Sequence, residues 1–239
     1  MRKLTVVATV FLALIIASSF AFAEAGKSNI RFGLQYVSPT GDLKVTDTGT
    51  ETIVDPPGEL VFDYEDKLEA DSAIGLFFGY EYMFTDMIGL DFGLGYSKHD
   101  VDDTFCYTET FTPEVGEPEI IDESGKETIG DVSMMPLTVG VNFHMSKSDK
   151  VDFYAGPFIG YVMYGDLSAK EADMEDIKLK SDFGYGVTFG LDVPFGGKGW
   201  MFSTALKYLS TKAEIDEEGV DEALDVNPWI LQIGVGYTF

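Results

Sequence analysis

Five charged residues stand singly inside stretches that otherwise alternate bulky apolar residues with glycine and other small residues: Arg31, Glu81, Asp91, Asp192 and Lys207. Each takes the small-residue phase of its stretch. If that phase faces a narrow interior, the charges must pair, because an isolated ion there is too costly to desolvate. An Arg31 network with Glu81 and Asp91 would join neighbouring segments. Such a network can act as a polar plug, or as a constriction whose charge selects solutes.

A second candidate chemistry is acidic. Four segments, 38–71, 98–131, 165–182 and 211–227, hold 34 of the 41 Asp and Glu residues. Asp100, Asp102 and Asp103 are the densest start of a hard-cation site, since Ca²⁺ or Mg²⁺ prefers carboxylate oxygen. Such ions could bridge the segments to lipopolysaccharide phosphates. The spacing fails as a helix-loop-helix calcium site, with Phe105 at position six, Cys106 after it and Phe111 at position twelve. The plainer reading is a solvated, self-repelling loop that stays mobile. No cofactor is expected beyond such loop-bound cations.

Nucleophilic chemistry has little support. His99 lies near Ser97 and Asp100, and His144 is two residues from Ser146, but the first reads as a solvated surface histidine and the second as part of a turn. No enzyme is expected. The single cysteine, Cys106, reads as a free thiol in a long loop and excludes an internal disulfide framework.

The elements that must position these residues are strands. Apolar residues alternate over 30–36, 74–82, 88–96, 137–143, 185–193, 200–208 and 231–239, and 153–164 is aromatic on both phases. Strict period-two alternation is the strand signal. Eight candidates of this length result. The connections between them are long, short, long, short in strict order.

The chain has 239 residues and a formal net charge of −25. That balance argues against nucleic-acid binding, since a phosphate backbone would be repelled. Arg2 and Lys3, the apolar run from Leu4 to Ala23, and Ala21-Phe22-Ala23 read as a cleaved export signal over 1–23. Residues 24–239 are then one domain.

The decisive question is which strand face meets water. A soluble sheet would carry a charged outer face. Here the second face is mostly Gly, Ser, Ala and Thr, which suits a crowded bore. The bulky face then meets hydrocarbon, and only a closed sheet spans lipid without orphaned backbone groups. This is an eight-stranded antiparallel transmembrane β-barrel, an up-and-down meander with long acidic outer loops and short periplasmic turns. For eight strands the bore is just filled by side chains, which favours the plug. A continuous water path would mark a pore, and a sealed, salt-bridged centre a scaffold or adhesin. Aromatics gather towards strand ends, as headgroup-level girdles do.

The last eight residues, with Gln232, Gly234, Tyr237 and Phe239, resemble the carboxyl-terminal insertion signal of bacterial outer-membrane barrels. The whole segment 24–239 resembles the small eight-stranded barrels of the outer-membrane protein W and X families and the protein A barrel. The block Met135-Pro136-Leu137-Thr138 to Phe143, followed by Tyr154-Ala155-Gly156-Pro157, resembles the protein W type in particular. The resemblance implies an outer-membrane location and recognition by the barrel assembly machinery. It also implies a lumen opening sideways into the bilayer, with structural or passive porin-like uptake of small, apolar molecules. The alternative expectation is a surface adhesion protein whose acidic loops bind divalent cations, lipopolysaccharide or a protein partner. A lipid A-modifying enzyme is the least expected.

Overall fold

The computed structural model describes residues 26–54, 57–145, 151–170, 177–196, 199–215 and 223–239. The expected export signal over 1–23 lies outside them. Fourteen strands follow in order: β1 (Ser28–Ser38), β2 (Asp42–Val54), β3 (Pro57–Ala70), β4 (Ala73–Met83), β5 (Ile88–Pro113), β6 (Glu119–His144), β7 (Asp152–Tyr164), β8 (Ser168–Ala169), β9 (Leu179–Lys180), β10 (Asp182–Pro194), β11 (Trp200–Ser210), β12 (Lys212–Ile215), β13 (Ala223–Asp225) and β14 (Trp229–Thr238).

Eight of them form a closed antiparallel ring, β5-β4-β1-β14-β11-β10-β7-β6, with β6 pairing back to β5. Closure runs through β1 and β14, where Asn29 faces Thr238 and Ser38 faces Trp229. A ring has no open edge, so its strands can pair with one another without water.

The faces divide as alternation predicts. Leu34, Leu76, Phe189, Ile159 and Ile233 are 57 to 65 % exposed on the outside, while Arg31, Gln35, Glu81, Thr188 and Ser203 are buried inside. An exposed apolar belt of this extent has no place on a water-soluble monomer and fits a lipid face. The segment that was aromatic on both phases resolves: Tyr154, Phe158 and Val162 point inward, and Phe153, Ile159 and Tyr161 outward. At the short-turn end, Trp200 meets Tyr237 edge-on at 5.2 Å, and Tyr237 stacks on Phe239 at 6.4 Å.

Two expectations are corrected. Segments 38–71 and 98–131 are not mobile loops. β2, β3 and the distal halves of β5 and β6 pair into a four-stranded antiparallel fin that continues the barrel wall. Alternating threonine and aromatic residues there have strong strand propensity, and the paired backbone outweighs carboxylate repulsion that water screens. Nor is the bore small and polar throughout. Val37, Met134, Phe158, Val162, Leu209 and Ile230 form a buried apolar cluster at the long-hairpin end. Val37, Met134, Leu209 and Ile230 lie just past the stretches whose alternation is legible, on the inward phase.

Candidate functional site

β1, β4, β5, β10 and β11 aim the five isolated charges into one region near the short turns. The Arg31 Nη2 lies 2.6 Å from Glu81 Oε2 and 2.8 Å from Asp192 Oδ2. Its Nε also donates to Asp192 Oδ2 at 3.2 Å, and its Nη1 is 3.7 Å from Asp91 Oδ1. Lys207 Nζ approaches the other Asp91 oxygen at 3.7 Å. All five side chains are nearly fully buried. Arg31 also stands 4.9 Å over the Tyr154 ring, a cation–π geometry. The structure thus brings Asp192 and Lys207 into contact with the Arg31 group, a wider association than the neighbouring segments alone suggest.

Glu81 is the most enclosed member. Asn29 Nδ2 donates to its Oε2 at 3.1 Å, Asn142 Nδ2 to its Oε1 at 2.8 Å, and His144 Nε2 meets Oε1 at 3.1 Å. His144 Nδ1 lies 2.7 Å from Asp152 Oδ2. His144 is therefore not a turn residue: it is the last inward position of β6 and bridges two carboxylates. The signal was available, because Thr138, Gly140, Asn142 and His144 share one phase. Two interior voids beside this cluster are about the size of one water, about 10 and 20 Å³. The centre is sealed.

Above the seal the β5–β6 ladder is interrupted. Leu94 pairs with Leu137 and Ser97 with Met134, but Gly95 and Tyr96 have no register partners in Pro136 and Met135. Proline has no N–H to give the ladder. The smaller void, lined by Gly95 and Pro136 on one side and by Phe158, Leu209 and Ile230 on the other, adjoins this break.

The remaining sequence-derived candidates separate. Asp100, Asp102 and Asp103 lie on β5 and not in a loop, so they cannot converge on one ion. Asp102 pairs with Lys126 at 2.8 Å and Asp100 with Lys170 at 3.8 Å. Asp103 points to the other face, as strand alternation requires. Among the described residues, no group of three or more acidic, His or Cys side chains is arranged to hold a metal. His99 is not solvated: it is 2 % exposed, with Nε2 2.8 Å from Ser97 Oγ and Nδ1 2.7 Å from the Asp71 carbonyl. Cys106 is an exposed free thiol on a strand. At the closing strand, Gln232 donates to Gln35 Oε1 at 3.3 Å across the bore wall, and Gly234 packs directly on Gly33.

The fin carries one titration with a visible cause. Partial burial, with the Asp66 carboxyl alongside and Glu127 nearby, pushes the Asp103 carboxyl up to about 6. The folded fin therefore holds a proton that an unfolded one has released at the same pH. Fin stability should be greatest below the ordinary carboxylate range and fall as pH rises through about 6. Amide exchange at Leu68 and Phe105, corrected for intrinsic rates, should be more protected at about pH 5 than at about pH 7.5, and Asp103→Asn should flatten the difference.

These features define an outer-membrane β-barrel. The OmpW family model matches residues 24–239, and the chain belongs to that family. It is 24 % identical over 115 residues to outer membrane protein AlkL of Ectopseudomonas oleovorans, covering 46 % of this chain and 49 % of that protein. It is 25 % identical over 122 residues to outer membrane protein W of Vibrio cholerae serotype O1, covering 46 % and 55 %. The matched region spans about half the length of these curated relatives. The crystal structure of OprG from Pseudomonas aeruginosa superposes with a TM-score of 0.62 at 23 % identity, covering 90 % of this chain and 97 % of that one. That likeness concerns the fold.

Proposed function

We propose that the protein is a passive conduit that passes small apolar molecules from the cell exterior sideways into the outer leaflet, and not a through-pore. The carrying observation is the apolar upper bore that ends on the broken β5–β6 ladder at Pro136, above a salt-bridged seal. An apolar solute entering at the fin must part Val37, Leu209 and Ile230, which close the bore above the seal; it cannot pass the Arg31 cluster, and the interrupted stretch of the β5–β6 ladder lies beside it. Transfer from an apolar bore to an acyl chain costs little, whereas passing the ion-paired centre would require separating buried charges. A surface-interaction role is favoured by the fin, whose outer strand β2 pairs on one side only among the described residues. It leaves the apolar bore unexplained. The buried Ser97 and His99 have no substrate-sized space beside them among the described cavities, and no catalytic role is proposed.

The test uses the full chain in lipid vesicles. Gly95→Leu places its first side-chain carbon 2.8 Å from Gln35 Nε2 and 3.1 Å from Pro136 Cγ, so it pushes the Gln35 amide aside and fills the void at the break. Uptake of a small apolar fluorophore should fall several-fold, and the unmodified protein in a planar bilayer should give no discrete current steps. Unchanged flux in a correctly folded Gly95→Leu variant, or stable ionic conductance in the parent, would refute the sideways route.

A further inference from the structure

The fin has two chemically different faces. On β5, Asp103, Phe105, Tyr107, Glu109 and Phe111 share the side of Ser97 and His99, which face the bore. The register aligns them with Leu60, Phe62, Tyr64 and Asp66 of β3, and with Glu119, Ile121, Glu123 and Glu127 of β6. This inner face is aromatic and acidic, and among the described residues it carries no lysine or arginine. The fin's lysines lie on the opposite face, where Lys67 is 2.6 Å from Glu69 and Lys126 is 2.8 Å from Asp102.

The rings on the inner face are laid over glycine. A ring carbon of Phe62 lies 2.1 Å from the point where a side chain would begin at Gly49, and one of Phe105 lies 2.7 Å from that point at Gly125. Rings held across the strands leave a broad aromatic surface. Tyr64 donates to Asp66 at 3.1 Å and Tyr107 to Glu109, so hydroxyls and carboxylates alternate along it. Towards the tip the face becomes concave. Ile53, Leu60, Phe111 and Ile121 line a groove of about 340 Å³, with Glu109 and Glu119 at its walls. Among the described residues, neither carboxylate has a salt-bridge partner.

We propose that this groove binds small organic cations, an ammonium group joined to an apolar body. The volume is that of a small-molecule site. Two carboxylates, neither of them ion-paired among the described residues and one accepting from Tyr107, select positive charge, aromatic and aliphatic side chains take the apolar part, and the aromatic faces add attraction for an ammonium. An anion would face only like charge, and a purely apolar solute would leave both carboxylates to be desolvated without compensation. The lysines are arranged to match: placed on the outer face, they do not compete for the groove.

The proposal goes beyond the uptake reading, because the groove at the fin tip shares no lining residue with the apolar cluster of the bore, and the two can fail separately. Isotope-labelled full chain in lipid nanodiscs is titrated with benzyltrimethylammonium, with benzyl alcohol and benzenesulfonate as neutral and anionic comparisons. The expected result is saturable amide shifts at Glu109, Phe111, Glu119 and Ile121 with the cation only, weakening as salt is raised. The double variant E109Q/E119Q, with unchanged thermal unfolding, should bind the cation about tenfold more weakly or worse. No saturable shift at millimolar cation, equal binding of the alcohol, or undiminished binding by the double variant would each overturn the proposal. Because Gly95→Leu leaves the groove untouched, its flux result tests the side exit alone.

Discussion

Arg31→Met should lower the unfolding free energy of the barrel by about 3 to 5 kcal/mol, the largest single effect expected inside the bore. The reason is the company Arg31 keeps. One guanidinium serves Glu81 at 2.6 Å, Asp192 at 2.8 Å and Asp91 at 3.7 Å, all buried. Methionine keeps the stem and its packing against Tyr154, but leaves Glu81 and Asp192 as buried carboxylates without their cation. Lys207 cannot replace it, since its contact at 3.7 Å is with Asp91. Against a typical total of about 5 to 15 kcal/mol, such a loss is a large fraction. Urea unfolding in lipid vesicles, followed by tryptophan emission, reads the midpoint. The triple change Arg31→Met, Glu81→Leu and Asp192→Val should recover part of the loss: Lys207 keeps Asp91 as its partner and no carboxylate is left beside a missing guanidinium except Asp91, while Asn29, Asn142 and His144 lose the Glu81 acceptor. A drop below about 1 kcal/mol for Arg31→Met would mean that water reaches the cluster and that the seal is not dry.

How much of this was legible depends on contrast between phases. In β1, Arg31, Gly33 and Gln35 stand against Ile30, Phe32 and Leu34, so strand, facing and the buried charge are all readable. The fin had the same period in a muted form. Phe105, Tyr107 and Phe111 alternate with Thr104, Cys106, Thr108, Thr110 and Thr112, but Glu109 and the flanking acids break the apolar count, and the run reads as solvated loop. Hydropathy is a poor guide where a strand has water on both sides; β-branched threonine and cross-strand pairing then decide. His144 was missed for a different reason. Its phase is continuous with Asn142, but it sits at the strand end, where a turn assignment competes. That Asp192 and Lys207 share the bore with Arg31 is readable from their phase, but which partner each takes is not, because it depends on ring closure: β10 and β1 are separated by β11 and β14 around the wall. Conversely, the acidic triad at Asp100, Asp102 and Asp103 looked like a site only while it was taken for a loop.

Gly234→Val should prevent stable closure of the ring. Gly234 and Gly33 face each other where β14 meets β1, the seam that turns a sheet into a barrel. A side chain at Gly234 would begin 2.2 Å from the Phe32 carbonyl oxygen and 3.0 Å from the Gly33 Cα, and one at Gly33 would begin 2.5 Å from the Gly234 Cα. These are backbone atoms, so no rotamer change relieves the clash. The seam would have to open by a fraction of an ångström or more along ladder bonds that lipid cannot replace. Gly234 also belongs to the carboxyl-terminal pattern that resembles an assembly signal, and the two roles predict different outcomes. Refolding of purified chain into short-chain lipid vesicles involves no assembly machinery. If sterics dominate, Gly234→Val should lose the compact, heat-sensitive gel mobility of the closed barrel there, and Gly234→Ala should keep a reduced fraction of it. If the glycine matters only for recognition, both variants should refold like the parent in vesicles and fail only in cells. Tyr237→Leu supplies the converse comparison, since Tyr237 touches Trp200 and Phe239 on the outer surface and not the seam backbone. It should refold close to normally in vesicles whichever role Gly234 plays, so a shared failure of both variants there would point to a general loss of strand β14 and not to the glycine contact.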